Sequence, residues 1–159
     1  MTKAKKTADR PRFVIAQFCD DIRFELGNKV TIVGLYNGKL ILQELPALIP
    51  RLGVVLTVNS PKTELTSNLM VVIEKDDEII HHSRHNVPRP TTEEQSQPGH
   101  DLISRRSLVM QIGLSPITVV APCMLRVVVT IDGVEWQAGK LRISAAPQEP
   151  SPDAVEKVA

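Results

Sequence analysis

Two pairs of turn residues, Gly27-Asn28 and Asn37-Gly38, interrupt an apolar and β-branched stretch near the start of this sequence. Glycine and asparagine accept the positive backbone φ that two-residue hairpin turns require, and such turns match the twist of paired strands. The stretch therefore predicts three antiparallel strands joined as a meander. These strands are Ile22–Leu26, Lys29–Tyr36 and Lys39–Leu42. The pattern restricts the fold to one built from short strands, and it carries no chemistry of its own.

Short apolar runs continue along the rest of the chain. Leu52–Asn59 is almost continuously apolar and predicts a central strand, and Asp132-Gly133 is typical of a type I′ hairpin turn. The other predicted strands are Phe13–Phe18, Leu69–Glu74, Glu78–His82, Ser107–Leu114, Met124–Ile131, Val134–Gln137 and Lys140–Ser144. Residues 44–50 carry two prolines and predict a connection between sheets, and Ile117–Val120 is too short to stand alone.

The number and spacing of these runs indicate the fold class. The total is about nine or ten short strands, and no long stretch carries apolar residues at helical spacing. Aromatic residues make up only 3% of the chain, so valine, isoleucine and leucine must fill the core. We predict an all-β, single-domain antiparallel β-sandwich with immunoglobulin-like or C2-like topology. A small closed β-barrel is the alternative that the pattern leaves open.

The two ends of the chain differ from its body. Residues 1–11 are basic and predict a disordered N-terminal segment, and residues 146–159 are proline-bearing and acidic and predict a disordered tail. The β-sandwich domain is left with residues 12–145. The whole chain has a formal net charge of +1 at pH 7, so its overall field does not favour nucleic acid or anionic lipid as a partner.

Apolar segments and cysteines indicate the compartment. The most apolar region, residues 114–131, is broken by two prolines and an arginine, which argues against a membrane-spanning helix there. No apolar segment follows the basic residues at the N-terminus, so no secretory signal is predicted. Cys19 and Cys123 are too few for a disulfide framework and suit reduced, buried thiols. We therefore expect a cytoplasmic protein without membrane contact.

One part of the sequence resembles a known family. The segment Phe18–Arg23, followed by Gly27–Lys29 and Val33–Tyr36, resembles the opening of an uncharacterised family of small bacterial proteins. Those proteins open with a Cys-Asp-Asp-Ile/Val-Arg pattern and continue into a proline-containing crossover similar to Leu45–Pro50. The resemblance implies a small all-β domain. The family brings no assigned activity, cofactor or site residue with it.

The histidines are the sharpest candidates for chemistry. His81, His82 and His85 lie close together, and a loop that folds His85 and His100 towards His81, with help from Asp101, would offer zinc a set of ligands. On a regular strand, however, His81 and His82 point to opposite faces, and His81 and His85 are about 13 Å apart. A shared metal requires the strand to end near His82. Surface histidines on a solvated strand end are the simpler interpretation.

Residues 83–104 form a long polar segment without apolar periodicity, and loops of this length are usually functional or disordered. Arg84, Arg105 and Arg106 lie in or beside it and are candidates for an interaction, although the acidic residues among them make a mixed surface. Trp136, the single tryptophan, fills the core if its strand face points inward and is a binding anchor if that face points outward.

The sequence contains no nucleophile elbow, glycine-rich phosphate loop, Cys-x-x-Cys pair or His-Glu-x-x-His helix. The predicted function is therefore a non-catalytic β-sandwich module that binds a protein partner or self-associates, with no cofactor, and a phage-derived or virion-associated role falls within it. The alternative is a metal-dependent enzyme or sensor that uses the histidines of residues 81–101. A carrier of a small ligand has no sequence signal beyond an ordinary apolar interior.

Overall fold

The computed structural model describes residues 11–92, 98 and 105–148. Within these residues the chain forms eleven strands, numbered here in chain order. They are β1 Phe13–Glu25, β2 Lys29–Leu35, β3 Lys39–Leu42, β4 Ala47–Ile49, β5 Leu52–Pro61, β6 Asn68–Lys75, β7 Glu78–Asn86, β8 Arg105–Leu114, β9 Ile117–Val119, β10 Cys123–Ile131 and β11 Val134–Ala145. The predicted all-β class is confirmed.

The strands form two main sheets. The first sheet has the order β2-β1-β5-β8, the second has the order β3-β11-β10-β6-β7, and β4 and β9 form a separate two-stranded ladder. Neighbouring strands are antiparallel except β3 and β11, which run parallel. The two sheets do not close into one barrel, and together they confirm the predicted single-domain sandwich. In the described part of the chain, no helix has the length and hydropathy needed to cross a membrane.

The core lies between the two main sheets and follows the period of two that strands impose. Val14, Ala16 and Phe18 of β1 point into it, and from the second sheet Leu125 and Val127 of β10 do the same. As expected from the low aromatic content, most of the core side chains are valine, leucine and isoleucine. Such branched side chains pack closely on a pleated surface, which makes the sandwich thin and dense.

The predicted three-stranded meander is confirmed for its first hairpin, across Gly27-Asn28, and is wrong for its third strand. β1 continues through Cys19, Asp20 and Asp21 to Glu25, and β2 pairs with it, but β3 leaves for the other sheet and pairs with β11. Of the two residues in the second turn signal, Gly38 has a positive φ (76°) and Asn37 is not among the positive-φ residues. The chain therefore does not make a type I′ turn there. Instead it crosses the sandwich and buries Leu40 in the core.

Several local predictions are confirmed. Asp132 and Gly133 have φ values of 48° and 87° and join β10 to β11 as a hairpin. β5 is central in the first sheet, between β1 and β8. The polar segment begins later than predicted, because β7 pairs with β6 through Asn86. Residues 1–10, 93–97, 99–104 and 149–159 lie outside the described residues. They include most of both predicted disordered ends and half of the polar segment.

Candidate functional site

The most distinctive surface feature is a hairpin that extends past the ends of β5 and β8 in the first sheet. The first half of β1 pairs with β5 as far as Cys19 opposite Gly53, and the second half pairs with β2 from Cys19 to Glu25. Since β5 begins at Leu52, the second half of β1 lies past its end and, in the described residues, has β2 as its strand neighbour. We call residues 21–33 the projecting hairpin.

The projecting hairpin has one apolar and one polar face. Register places Ile22 opposite Ile32 and Phe24 opposite Val30, so these four side chains share a face. The other face carries pairs such as Glu25 with Lys29. Exposure increases towards the tip: on the apolar face Ile22 is buried and Phe24 is 74% exposed, and Leu26, in the turn that joins the two strands, is 96% exposed. Apolar side chains this exposed on adjacent positions form a patch that water solvates poorly.

A small second cluster fixes the base of the projecting hairpin. Cys19, Ile22 and Val55 pack together on the side of the first sheet that faces away from the core. Gly53 makes this contact possible, because a Cβ there would come within 2.7 Å of the Cys19 sulfur. Residues three apart, such as Cys19 and Ile22, point to opposite faces of a regular strand. The backbone between them must therefore twist.

The twist occurs where Asp20 meets β2. Gly34 adopts a left-handed φ of +64°, and the Asp20 side chain occupies the space that a Cβ at Gly34 would need. The Tyr36 hydroxyl donates a hydrogen bond to the Asp20 carboxylate. Burial, followed by this hydrogen bond and the carboxylate charge, raises the pKa of Tyr36 to about 12. The residues that carry the family resemblance thus orient the hairpin.

Ion pairs hold the polar side of the same base. The Asp21 carboxylate accepts a hydrogen bond from the Arg23 guanidinium at 3.1 Å and lies 2.9 Å from that of Arg51. The hydrogen bond from Arg23, with the charge of Arg51, lowers the pKa of Asp21. The Cys19 thiol beside them is fully buried. Burial, with the charges of Asp20 and Asp21, raises the pKa of Cys19, so this thiol is a poor nucleophile.

We call the face of the first sheet that points away from the core the outer face, and it mixes apolar and polar side chains. Ile15 and Val109 lie on either side of Thr57, and Phe13 lies beside Asn59. The buried Val55 lies between Gln17 and Gln111. A groove of about 70 Å³ joins this outer face to the projecting hairpin. Its walls are Ile22, Phe24, Arg51, Gly53, Gln111 and Gly113. The groove therefore connects the hairpin to the outer face, and the glutamines beside Val55 separate its apolar walls from Ile15 and Val109.

The second sheet presents a different surface. Alternation with the core residues places Lys140 and Arg142 of β11 on its outward side, with Arg126 of β10 opposite Lys140 and Lys39 of β3 opposite Arg142. Like charges directly opposite each other disfavour pairing. Glu74 of β6 is opposite Arg126 and offsets part of this charge. This side of the sandwich is cationic, whereas the outer face of the first sheet carries mainly uncharged side chains.

The candidate histidines lie on the edge strand β7 and do not assemble into a site. His81 and His85 share a face. The Nε2 atom of each is within hydrogen-bond distance of the Ser83 hydroxyl, at 3.1 Å for His81 and 3.0 Å for His85. His82 pairs with Val72 on the opposite face, as predicted for a continuing strand. Burial and the two neighbouring histidines lower the pKa of His81. His100 lies outside the described residues.

No group of three potential metal ligands occurs among the residues that the structure describes. The spacing of His81 and His85 on a strand that continues to Asn86 explains this result, because both side chains point to Ser83 and not to a common carboxylate or cysteine. Asp101, the proposed helper, also lies outside the described residues. The metal-dependent alternative has no assembled site in this part of the chain.

The other predicted interaction residues are dispersed. Trp136 pairs with the buried Val129, packs against the core and has a buried indole nitrogen, so its ring points inward. Arg105 donates hydrogen bonds to Asn59 and to the Pro11 carbonyl and lies 5.5 Å from the centre of the Phe13 ring. Arg84 lies on β7 opposite Met70.

Arg106 lines a cleft of about 170 Å³ at one end of the sandwich. Apolar side chains, among them Val58, Leu65, Val87 and Leu108, make up most of its walls, and Arg89 and Glu64 add charge of both signs. Arg106 is on β8 of the first sheet, whereas Arg84 of β7 and Trp136 of β11 are on the second, so the predicted interaction residues do not form one surface.

The sequence predicts the hairpin itself, and the structure confirms it at Gly27-Asn28, but the exposure of its apolar face is not predicted, although a signal for that face exists. Alternation of apolar Ile22, Phe24 and Leu26 with polar neighbours predicts one buried strand face. Whether that face is covered depends on how far β1 continues past the end of β5. This length is set by the pairing of β1 with a strand distant in the sequence, which local patterns do not contain.

Comparison with known proteins identifies a family for this chain. The family model of a family of unknown function (DUF6941) matches residues 14–144. The match spans the projecting hairpin and almost all of the described sandwich, and it confirms the resemblance to a family without an assigned activity. No curated protein matches the chain significantly.

Proposed function

This chain belongs to the family of unknown function DUF6941, and we propose that it is a non-catalytic binding or assembly module. The projecting hairpin and the adjoining outer face contact a protein partner or another copy of the chain. The interior supplies a rigid frame, as in immunoglobulin-like and C2-like binding domains, with which we group it. Its two cysteines are free, which suits the reducing cytoplasm of a bacterium or of a phage-infected cell.

The observation that carries this proposal is the exposed apolar face of the projecting hairpin. Covering a large apolar side chain contributes about 1.5–3 kcal/mol, and Phe24 and Leu26 are left largely in water. A two-stranded hairpin is at best marginally stable alone. Here the packing of Ile22 and the hydrogen bond between Tyr36 and Asp20 hold the hairpin in place. These specific contacts keep an apolar surface exposed. A surface used for binding accounts for both features.

Site-specific photo-crosslinking tests the proposal. A photoreactive phenylalanine analogue is placed at position 24 or 26, and at the control positions 79 or 134, whose native Ile79 and Val134 are 60% and 57% exposed elsewhere on the sandwich. We expect a discrete adduct, identified by mass spectrometry, from positions 24 and 26 in cells that express the protein. Equal adduct yields at all four positions would refute the role of the hairpin.

A further inference from the structure

We propose that the occupant of this surface is a second copy of the same chain. Two protomers related by a two-fold axis each place their projecting hairpin across the outer face of the other's first sheet. This inference rests on the proposed function and adds the identity of the partner. It requires a surface that is complementary to itself, because the same residues meet from both sides of a two-fold axis.

Charge balance is the first argument for a second copy. The hairpin and its base carry three carboxylates and three cations. They are Asp20, Asp21 and Glu25 against Arg23, Lys29 and Arg51. A surface with a large net charge repels its own copy, and the hairpin with its base has none. Arg105, which lies over the Phe13 ring, adds one cation on the adjoining outer face. The outward side of the second sheet, with Lys39, Arg126, Lys140 and Arg142, is unsuited to the same symmetric contact.

Shape is the second argument. The surface holds both a projection and a recess: the exposed Leu26 and Phe24 at the hairpin tip, and the groove beside Gly53 and Gly113. The groove of about 70 Å³ suits a single apolar side chain. Its floor is open because glycine lies on both neighbouring strands. In the two-fold arrangement the tip of one hairpin, led by Leu26, enters the groove of the other copy.

Area is the third argument. A five-residue, two-stranded hairpin is about 17 Å long and 10 Å wide, so one face covers only roughly 170 Å² in projection. A stable dimer needs about 800 Å² of accessible surface from each partner. The hairpin alone is too small. The outer face adds the first half of β1 and the strands β5 and β8, together about 14 Å wide, and brings the contact towards that size. Phe13, Ile15 and Val109 are its exposed apolar side chains.

Sedimentation of the full chain over a range of concentrations tests the association. We expect a reversible monomer–dimer equilibrium, and Phe24→Ser with Leu26→Ser should weaken the dimer by more than about 100-fold, since both side chains leave the interface. The matched control is Ile79→Ser with Val134→Ser, which changes two exposed apolar residues elsewhere and should leave the dimer constant unchanged. A wild-type protein that stays monomeric at all concentrations overturns the proposal.

Cysteine pairing tests the geometry. Leu26→Cys and Gln111→Cys are placed on separate chains that both carry Cys123→Ser, and the two chains are mixed and oxidised. We expect a heterodimeric disulfide between positions 26 and 111 that forms faster than one between 26 and a Val134→Cys control. If the 26–111 and 26–134 disulfides form at equal rates, the proposed arrangement, in which each hairpin lies in the groove of the other copy, is overturned.

The two proposals can fail separately. If the wild-type chain sediments as a monomer while photo-crosslinks at positions 24 and 26 reach a different protein, self-association is overturned and the binding role stands. If the chain is monomeric and no position gives a specific adduct, both are overturned. A dimer that the hairpin variant does not weaken overturns the proposed interface.

Discussion

The hydroxyl of Tyr36 donates a hydrogen bond to the carboxylate of Asp20, sixteen residues earlier in the chain. Asp20 also lies against Gly34, whose left-handed backbone leaves room for it. These three residues lie where β1 leaves the first sheet and the projecting hairpin begins. They therefore set the direction of the hairpin, and through it the shape of the surface to which we assign binding.

Tyr36 should make stability depend on alkaline pH. Its pKa is about 12 in the folded protein and about 10 in an unfolded chain, so the folded state favours the protonated phenol. This contribution is complete below pH 10 and is lost as pH rises from 10 to 12. After allowance for solvent screening it is about 1 kcal/mol. Denaturant unfolding between pH 9 and 12 should show the loss in the wild type and much less of it in Tyr36→Phe.

The measurement has a direct spectroscopic form. Tyr36 is the only tyrosine in the chain, so the phenolate absorbance near 295 nm reports on it alone. Asp20→Asn removes the charge and keeps an acceptor, and it should move the titration back towards pH 10. A wild-type midpoint at the ordinary tyrosine value would contradict the contact.

Gly34→Ala should destabilise the protein more than an equivalent change in an open turn. An alanine Cβ at Gly34 overlaps the Asp20 carboxylate and also meets a left-handed φ, and we expect a loss of about 2 kcal/mol or more. The control is Gly38→Ala, where φ is +76° but nothing lies within 4 Å of the added Cβ. That change should cost about 1 kcal/mol, the backbone term alone. Equal losses in thermal unfolding would show that Asp20 moves aside freely.

Local sequence signals predicted some parts of this fold and misled at others. Asp132-Gly133 and Asn37-Gly38 have the same turn chemistry, yet only the first pair closes a hairpin. The strands on either side of Asp132 can pair with each other and bury one face together. After Gly38, by contrast, Leu40 reaches the core only by joining the second sheet beside β11. A tertiary contact more than a hundred residues away decided the outcome, and no local pattern contains it.

The candidate site was harder to predict for the same reason. The histidines stood out because their side chains carry chemistry, but the strand that holds them continues, and His82 points away from His81. The apolar positions of the projecting hairpin alternate with polar residues, as in any strand with one buried face. Their exposure follows from the end of β5 at Leu52, which leaves the second half of β1 without a neighbour on that side among the described strands.

Asp132 should contribute to stability through the chain that precedes β6. Its carboxylate accepts hydrogen bonds from the backbone amides of Asn68 at 2.9 Å and Ser67 at 3.2 Å. Asp132→Ala removes a charged acceptor and places alanine at a φ of 48°, so we expect a loss of about 2–3 kcal/mol. Asp132→Asn tolerates this backbone and keeps one acceptor oxygen, and should lose about half as much.

Denaturant unfolding measures both Asp132 variants, with Asp77→Ala as the control. Asp77 is an exposed carboxylate in the β6–β7 turn at the other end of the same sheet, and its removal should change stability by less than about 0.5 kcal/mol. If the alanine and asparagine variants of Asp132 lose the same amount, the hydrogen bonds to Ser67 and Asn68 contribute nothing and only the turn conformation matters.

Two glycines should separate stability from association. Gly139 of β11 packs directly on the backbone of Ala16 in β1, where the two sheets approach each other. A Cβ there meets a carbonyl that cannot rotate away, so Gly139→Ala should cost about 2–3 kcal/mol of unfolding free energy. Gly113 has open space around its Cβ position, and Gly113→Ala should leave monomer stability within about 0.5 kcal/mol.

The same pair should give the opposite result in sedimentation. Gly113 lines the groove that receives the hairpin tip, and a methyl group there narrows it, so Gly113→Ala should weaken the dimer several-fold. Gly139 lies between the sheets, away from the proposed interface, and its variant should dimerise normally under conditions where it remains folded. A dimer that tolerates Gly113→Ala but is weakened by Gly139→Ala would place the contact elsewhere on the sandwich, because the groove would then take no part in it.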